Sequence, residues 1–372
     1  MGQIKKRVAW ITVPAFISTD RFIIPELAKI YDINWYLIVK NGEKIDFADN
    51  LSALSKEYGF NYHIITLFKR NLAITTALDY RKFLKQIKEE DYDLIYNVMI
   101  GIPYYMPFLK MIIGNKNVLV AIHNVHVPKG GSMYIPSILY TNYTIKAFKY
   151  FQTFSVSQKN ALLKKASDKY CGHVNFMLMD YGTPSIIRNN DVITFLSFGI
   201  IREYKRIDVI IQAAEEAFEE VGITFRVIIA GGCDDWDKYQ ALIRHKELFD
   251  LRIRRISDSE VPNLFGESHY FVAPYQDIAQ SGSAIIAINY NVPVIASRLE
   301  AFESYIEQGK TGFLIKPASK SDLKKVFTYI LLNHDRIYRS MSDQVEKEKH
   351  SKFSSEIVSK GYEKNFKQVI KG

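Results

Sequence analysis

The feature that most constrains this sequence is a regular alternation of short apolar runs with stretches of helical periodicity. Four runs in the first half have the length of a buried strand: Arg7–Val13, Asn34–Val39, Asp93–Met99 and Asn117–Ile122. A helical stretch rich in Lys and Leu, Thr75–Glu90, lies between the middle pair. Buried strands joined by helices are typical of βαβ units and a parallel sheet. The first half therefore predicts a Rossmann-like α/β domain.

The alternation restarts after the polar segment Arg188–Asp191, which is the predicted linker. Predicted strands follow at Thr194–Phe198, Phe225–Ala230, His269–Ala273, Val292–Ala296 and Gly309–Ile315, with a helix at Ile207–Glu220 and an apolar stretch at Ser283–Ile288. A chain of 372 residues exceeds the size at which single cores stop growing. We expect an N-terminal domain over 1–190, a C-terminal domain over 191–350, and an amphipathic helix over 351–372 that is either solvated or returns to the first domain.

Composition excludes disordered, collagen-like and disulfide-scaffold classes, because 48% of the residues are hydrophobic and 24% are charged. The net charge of +9 indicates either an acidic partner or a lysine-rich solvated surface. The two cysteines, Cys171 and Cys233, lie in different halves without metal-site spacing, which favours a reducing compartment. The basic N-terminus and the apolar run after it predict a first strand rather than a signal peptide, because Pro14 interrupts the run and no cleavage site follows.

Two segments carry residues suited to an anionic ligand. After the strand that ends at Phe198, Gly199 allows a tight turn, and Arg202 and Lys205 follow three residues apart before a helix. Loops at the carboxyl ends of parallel strands bind ligands in open α/β sheets, and these two cations suit a diphosphate. An ordinary strand–helix turn with solvated bases is the alternative.

The second segment runs from Pro274 and Tyr275 to Gln280, Ser281, Gly282 and Ser283, ahead of an apolar stretch. Small residues let main-chain N–H groups approach a phosphate, and a helix N-terminus favours an anion. A serine N-cap without a ligand is the alternative.

Together the motifs FGxIRxYK, a strand ending in GG, ISDSEVPNLF, PYxxxxQSG, PVIAS and GKTGFL, in this order over residues 194–316, resemble family 4 glycosyltransferases of the GT-B fold. Within that family they are most similar to a bacterial polysaccharide subgroup with a QSG motif. The resemblance in the first half is confined to IHNVHVPKGG and FSVSQKNALL.

This resemblance implies two facing Rossmann-like domains with a cleft between them, an acceptor-binding first domain and a donor-binding second one. It implies transfer of a sugar from a nucleoside diphosphate sugar to a saccharide or polyprenyl-linked acceptor. The implied reaction retains the configuration of the sugar and needs no metal or other cofactor. Catalytic roles fall on Arg202, Lys205 and His123. Donor contacts fall on Gly199, Arg202, Lys205, Tyr275, Gln280, Ser281, Gly282 and Ser283. The implied location is the cytoplasm. If the protein makes a peripheral membrane contact, the implied place is the inner face of the cytoplasmic membrane.

The sequence departs from the wider family at three places. Two glutamates that the family spaces eight residues apart align with Ile278 and Ile286, and a later glutamate aligns with Ser304, next to Glu303. The glycine expected after Lys205 is Arg206. These departures favour, as a rival hypothesis, a catalytically inactive homologue that serves as a binding or scaffold subunit.

Three further features bear on the candidate function. His123 follows a predicted strand, where the family's histidine approaches the transferred sugar, and His126 is the second choice. Asp235 and Asp237 have the spacing of a metal motif from the other large glycosyltransferase fold, but they are expected to be solvated acids at a helix start. The Tyr104–Ile113 and Tyr140–Phe151 segments mix aromatic residues with lysines, which indicates core helices or a membrane-facing surface. No basic helix with interleaved stacking aromatics supports nucleic-acid binding.

Overall fold

The computed structural model describes residues 4–40, 48–67, 73–125, 134–189, 191–278 and 280–371. The chain forms two compact units, Met1–Met177 with Phe353–Gly372, and Leu178–Lys352. Within the described residues, no helix combines the length and the apolar character that crossing a bilayer requires.

The first unit is built on a sheet of seven parallel strands. They are β1 (Arg7–Thr12), β2 (Asp32–Lys40), β3 (Asn61–Leu67), β4 (Leu94–Val98), β5 (Val118–Ala121), β6 (Tyr150–Thr153) and β7 (Tyr170–His173). Their order is β3-β2-β1-β4-β5-β6-β7. The first three strands are added toward one edge of the sheet and the last four toward the other, so the strand order reverses between β1 and β4. Strands β1, β4 and β5 are almost completely buried, which explains why they read as continuous apolar runs.

Six helices connect these strands. They are α1 (Ile17–Ala28), α2 (Ala48–Tyr58), α3 (Ile74–Glu89), α4 (Tyr105–Ile112), α5 (Tyr134–Ala147) and α6 (Val156–Lys165). Helix α1 packs against α2, whereas α4 packs against both α3 and α5. Because βαβ crossovers are right-handed, the reversal at β1 and β4 places α1 and α2 on one face and α3 to α6 on the other.

The second unit repeats this architecture with six parallel strands. They are β8 (Thr194–Phe198), β9 (Arg226–Ala230), β10 (Phe249–Arg252), β11 (Tyr270–Ala273), β12 (Val294–Ser297) and β13 (Gly312–Ile315), in the order β10-β9-β8-β11-β12-β13. The helices are α7 (Ile207–Val221), α8 (Asp237–Gln240), α9 (Val261–Gly266), α10 (Gly282–Asn289), α11 (Glu300–Glu303) and α12 (Lys320–Phe353).

The last helix, α13 (Ser355–Lys371), belongs to the first unit and packs against α1. Its residues Val358, Tyr362, Phe366 and Val369 are buried in the first core. Asn365 donates to Gln152 Oε1 at 2.9 Å and accepts from the Tyr170 hydroxyl at 2.7 Å. The predicted terminal helix over 351–372 is therefore two elements, because α12 ends at Phe353.

The boundary between the units lies earlier than the predicted 190. Residues 178–189 pack on the second unit: Tyr290 donates its hydroxyl to the Gly182 carbonyl at 2.9 Å, and Asn263 Oδ1 accepts from the Ser185 N–H at 2.8 Å. Although the segment has no strand or helix, these bonds attach it to α9 and to the residue after α10. The second unit accordingly begins at Leu178.

Candidate functional site

The predicted donor segments lie at the point where the second sheet reverses strand order. β9 and β10 lie on one side of β8, and β11, β12 and β13 lie on the other. The loops 199–206 and 274–281 therefore leave neighbouring strands at the same edge of the sheet. Open α/β sheets bind ligands at such a switch point. The structure joins the two loops directly, because the Gln276 N–H donates to the Tyr204 carbonyl at 2.8 Å.

Lys205 is a buried cation at this edge. Its side chain is 7% exposed, and its ammonium donates to the Phe198 carbonyl at 3.0 Å. The Nζ also lies 5.7 Å from the ring centroid of Tyr275. No carboxylate within the described ranges forms an ion pair with it. Burial lowers the pKa of the Lys205 ammonium to about 8, because the charged form loses hydration.

Gly199 makes room for this arrangement. It has a φ of +98°, and a Cβ there would lie 2.9 Å from Lys205 Nζ and 3.2 Å from Ser283 Oγ. The Ser283 hydroxyl donates to the same Phe198 carbonyl at 3.3 Å. Glycine is favoured here both by the left-handed backbone conformation and by the small space beside the Lys205 and Ser283 side chains. The lysine and the serine thus converge on one point above the end of β8.

A second close approach involves Gly231, which follows β9. A Cβ on Gly231 would lie 2.2 Å from the Gly199 carbonyl oxygen, a distance that no side chain tolerates. The Gly199 N–H donates to the Ala230 carbonyl at 2.9 Å, and the Ile201 N–H donates to the Gly232 carbonyl at 2.8 Å. The two glycine turns are therefore packed together, and this contact explains the GG at the end of β9.

Arg202 is the exposed member of the predicted cation pair. Its guanidinium lies 2.6 Å from the Asp234 carboxylate, and the two side chains are 55% and 86% exposed. Asp234 comes from the turn after β9. The sequence does not predict this contact of Asp234, because an exposed aspartate close to two others has no distinctive spacing. Arg202 therefore forms an exposed ion pair at the edge of the sheet.

Helix α10 begins at the same edge. Ser281 caps it, because its Oγ accepts from the Ala284 N–H at 3.3 Å, while Gln280 and Gly282 beside it are partly exposed. Tyr275 is buried, and its ring contacts Tyr204 and Phe302 edge-on. Tyr275 is therefore a wall of the lysine's pocket rather than a surface contact. The roles of these residues toward a donor stay predictions.

Arg206 occupies the position where the resembling family has glycine. It adopts a left-handed conformation with φ 53° and ψ 51°, which explains the glycine preference. Its side chain turns to Asp208, with Nη2 2.7 Å from Oδ2. Arg206 thus belongs to the start of α7, and the cations of the candidate site remain Arg202 and Lys205.

The positions of the family's glutamates do not provide carboxylates here. Ile286 is buried on α10, and Ile278 is partly exposed in the loop before it. Ser304 follows α11, and its neighbour Glu303 lies 3.4 Å from Arg298. These three positions therefore place no carboxylate at the edge of the sheet.

His123 lies in the first unit, two residues beyond β5. Its imidazole is stacked between Phe16 at 4.3 Å and Phe154 at 4.2 Å between ring centroids. Removal from water lowers the pKa of His123 to about 3, so the ring is neutral near pH 7. A neutral imidazole can donate one hydrogen bond and accept another. His126 lies outside the described residues.

The acids of the Asp235–Asp237 segment are placed as predicted for a helix start. Asp237 begins the short helix α8, and Asp235 is 65% exposed and lies 3.4 Å from Lys238 Nζ. In the part of the chain that the structure describes, ligand-like spacing occurs at Glu215, Glu219 and His245. Arg244 lies 2.7 Å from Glu219, and Glu215 accepts the N–H groups of Arg244 and His245. These carboxylates are engaged in a local network.

Comparison with known proteins agrees with this geometry. Residues 184–349, nearly the whole second unit, match the family model "Glycosyl transferases group 1". No curated protein matches the chain in sequence. Because the family model covers less than half of the chain, the match concerns the second unit.

Solved structures are similar over both units. HepE from Anabaena, in complex with UDP and glucose, has a TM-score of 0.73 at 13% identity, covering 98% of this chain and 100% of that one. Sucrose-phosphate synthase from Thermosynechococcus elongatus has a TM-score of 0.76 at 13% identity, with 99% and 100% covered. A mutant of TarM from S. aureus, in complex with Fondaparinux, alpha-GlcNAc-glycerol and UDP, has a TM-score of 0.74 at 12% identity, with 97% and 99% covered. The expected fold is confirmed: this chain has the two-domain α/β fold of the GT-B glycosyltransferases.

Proposed function

We propose that this protein is a glycosyltransferase that uses a nucleoside diphosphate sugar as donor, with the diphosphate bound by Lys205 and Arg202. The observation that carries the proposal is the burial of Lys205 without a carboxylate partner among the described residues. Burying a single charge away from water is strongly unfavourable unless an opposite charge is buried beside it. An anionic ligand at the switch point would supply that charge.

The chemistry follows from the charge that develops on the leaving group. As the bond between sugar and diphosphate breaks, negative charge grows on the phosphate oxygens. Lys205 then contributes a point charge inside the loop, and Arg202 contributes a planar fork at its exposed rim. The N-terminus of α10 adds main-chain donors from the same edge. We propose that these groups replace a metal ion and that the reaction retains configuration, as in the resembling family.

The partners are proposed from the same resemblance. The donor to test first is a UDP-sugar, because HepE and TarM structures contain UDP. The acceptor is a saccharide or a polyprenyl-linked saccharide in bacterial surface-polysaccharide synthesis. His123, held neutral by its flanking rings, is proposed to donate a hydrogen bond to the transferred sugar. Ile278 and Ile286 favour the rival, an inactive homologue that binds nucleotide without transfer.

The test compares donor turnover in Arg202→Ala, Lys205→Ala and the control Arg206→Ala, in the presence of excess EDTA. A charge-assisted hydrogen bond to phosphate contributes roughly 1.5–3 kcal/mol, and each 1.36 kcal/mol is tenfold in rate. Turnover should therefore fall about ten- to a few hundredfold for the first two variants and stay near the parent's for the third. Equal behaviour of all three variants would reject the diphosphate assignment. Nucleotide binding without turnover in the parent would support the rival.

A further inference from the structure

The positive charge of the chain is concentrated in one segment of the first unit. Residues 94–167 contain eight lysines but no aspartate, glutamate or arginine. The net charge of this segment is therefore +8, compared with +9 for the whole chain. The segment covers β4 to α6, whose helices lie on the sheet face opposite α1 and α2. The excess of positive charge is therefore concentrated in this segment of the sequence.

Several helical lysines elsewhere are paired with a neighbouring glutamate. On α12 and α13, Lys320, Lys324, Lys360 and Lys367 each lie within an ion pair with a glutamate. No described lysine of the 94–167 segment lies in an ion pair with a carboxylate from any part of the described chain. Lys146, Lys149, Lys164 and Lys165 are all exposed. Their charge is available to an anionic partner.

An apolar ridge lies beside these charges on α5. Ile135, Leu139 and Tyr143 are 67%, 65% and 40% exposed. Their spacing of four residues places them in one line along the helix, about 12 Å long at 1.5 Å per residue. Lys146 follows Tyr143 within one turn, and Lys165 of α6 reaches across to α5, where it donates to Asn142 Oδ1 at 3.3 Å. Apolar and cationic groups thus share one outer surface.

We propose that this surface of α5 and α6 docks on an anionic lipid bilayer, with the α5 ridge entering the interface and the lysines facing the headgroups. A helix that combines an apolar line with lysines lies in the interface plane in this way. A soluble polyanion would use the lysines but leave the ridge in water. The presence of both therefore favours a membrane over a nucleic acid. This docking goes beyond the transfer reaction and does not depend on it.

The experiment is sedimentation of the full chain with vesicles, without nucleotide or acceptor. Vesicles of phosphatidylcholine alone are compared with vesicles that contain 30% phosphatidylglycerol. Each lysine near an anionic surface contributes about fivefold in partition. Lys146→Gln with Lys149→Gln should therefore weaken binding about 25-fold. The control is Lys325→Gln with Lys347→Gln, two exposed lysines of α12, which should change binding little.

The ridge is tested by Leu139→Glu, with Leu332→Glu as control, because the two leucines are 65% and 62% exposed on helix surfaces. Leu139→Glu should weaken binding about tenfold or more, which corresponds to roughly 1.4 kcal/mol, and Leu332→Glu should not. Thermal melts check that each variant folds, and Ile135→Gln replaces Leu139→Glu if that variant does not. Equal binding to both vesicle types, equal loss in both lysine pairs, no effect of the ridge variants, or equally tight binding to duplex DNA would each overturn the proposal.

Discussion

The Nη1 atom of Arg202 lies 2.6 Å from Oδ2 of Asp234, across the two glycine turns at the carboxyl edge of the second sheet. Both side chains are more than half exposed, so the pair is surrounded by water on its outer side. Exposed ion pairs of this kind contribute roughly 0.2–1 kcal/mol. The free energy needed to release the Arg202 guanidinium from Asp234 is therefore small.

Asp234→Asn should strengthen the binding of UDP by up to about fivefold, because Arg202 then has no carboxylate to release. Isothermal titration at low salt measures the change, and added salt should reduce it. Asp235→Asn is the control, since Asp235 pairs with Lys238 instead. Weaker binding in Asp234→Asn would show that Asp234 orients Arg202 for the ligand.

Lys205→Met should stabilise the ligand-free protein near pH 7. The pKa of Lys205 is lowered from 10.5 to about 8. Between those pH values the unfolded chain binds the extra proton, so stability rises with pH there, and the full penalty is present below about pH 8. At 1.36 kcal/mol per unit the penalty is about 3 kcal/mol, and the lost hydrogen bond to Phe198 offsets about 1. The melting temperature of the second unit should rise by about 4–8 °C.

The contrasting control is Lys349→Met. Lys349 is also partly buried, but it donates to the Asn289 carbonyl at 3.0 Å and to Asn291 Oδ1 at 2.7 Å. Its ammonium therefore holds the end of α10, and its loss should lower the melting temperature. A fall in both variants would mean that Lys205 is structural. The same titration predicts that UDP affinity of the parent declines above about pH 8, and that Lys205→Met lacks this decline.

The fold could be predicted because buried parallel strands have continuous apolar sequences. Thr194–Phe198 has the predicted bounds, and α7 ends one residue beyond its predicted end. The strand β3 was not predicted, since its residues are mostly exposed and it has no continuous apolar run. The predicted boundary at 190 differs from the division after Met177, because residues 178–189 attach to the second unit through hydrogen bonds that composition does not reveal.

The sequence indicated the two loops of the candidate site, but not how their side chains pack. Gly199, Arg202 and Lys205 were identified because a loop after a parallel strand with two spaced cations suits a phosphate. The burial of Lys205 was not predictable, since Tyr275 of the loop 274–281 and Ser283 of α10 lie beside its side chain. The flanking of His123 by Phe16 and Phe154 also joins three distant segments. Spacing along the chain does not encode such contacts.

Arg206→Gly should stabilise the second unit relative to Arg206→Ala. Both variants lose the pair with Asp208, but only glycine adopts φ 53° without penalty. A left-handed conformation disfavours a residue with a Cβ by roughly 1–2 kcal/mol, partly offset by the entropy that glycine loses on folding. The difference should be about 1 kcal/mol in favour of glycine. A thermal melt that ranks alanine equal to or above glycine would contradict the left-handed conformation.

His123 should remain neutral throughout the pH range in which free histidine titrates. Its ring lies between Phe16 and Phe154, at 4.3 and 4.2 Å between centroids, and no described carboxylate pairs with it. Desolvation lowers its pKa to about 3, so the unfolded chain binds the proton first as pH falls below 6.5, and the first unit should lose stability there.

In NMR, the Cε1–H signal of His123 should not shift between pH 8 and 5. Phe154→Ala opens one face of the ring to water and should move the midpoint up toward 6.5. Phe22→Ala, at a phenylalanine of α1 outside the stack, is the control and should leave the midpoint unchanged. If the parent His123 titrates near 6.5, its ring is hydrated, and a role as proton donor or acceptor would replace the neutral hydrogen-bonding role proposed here.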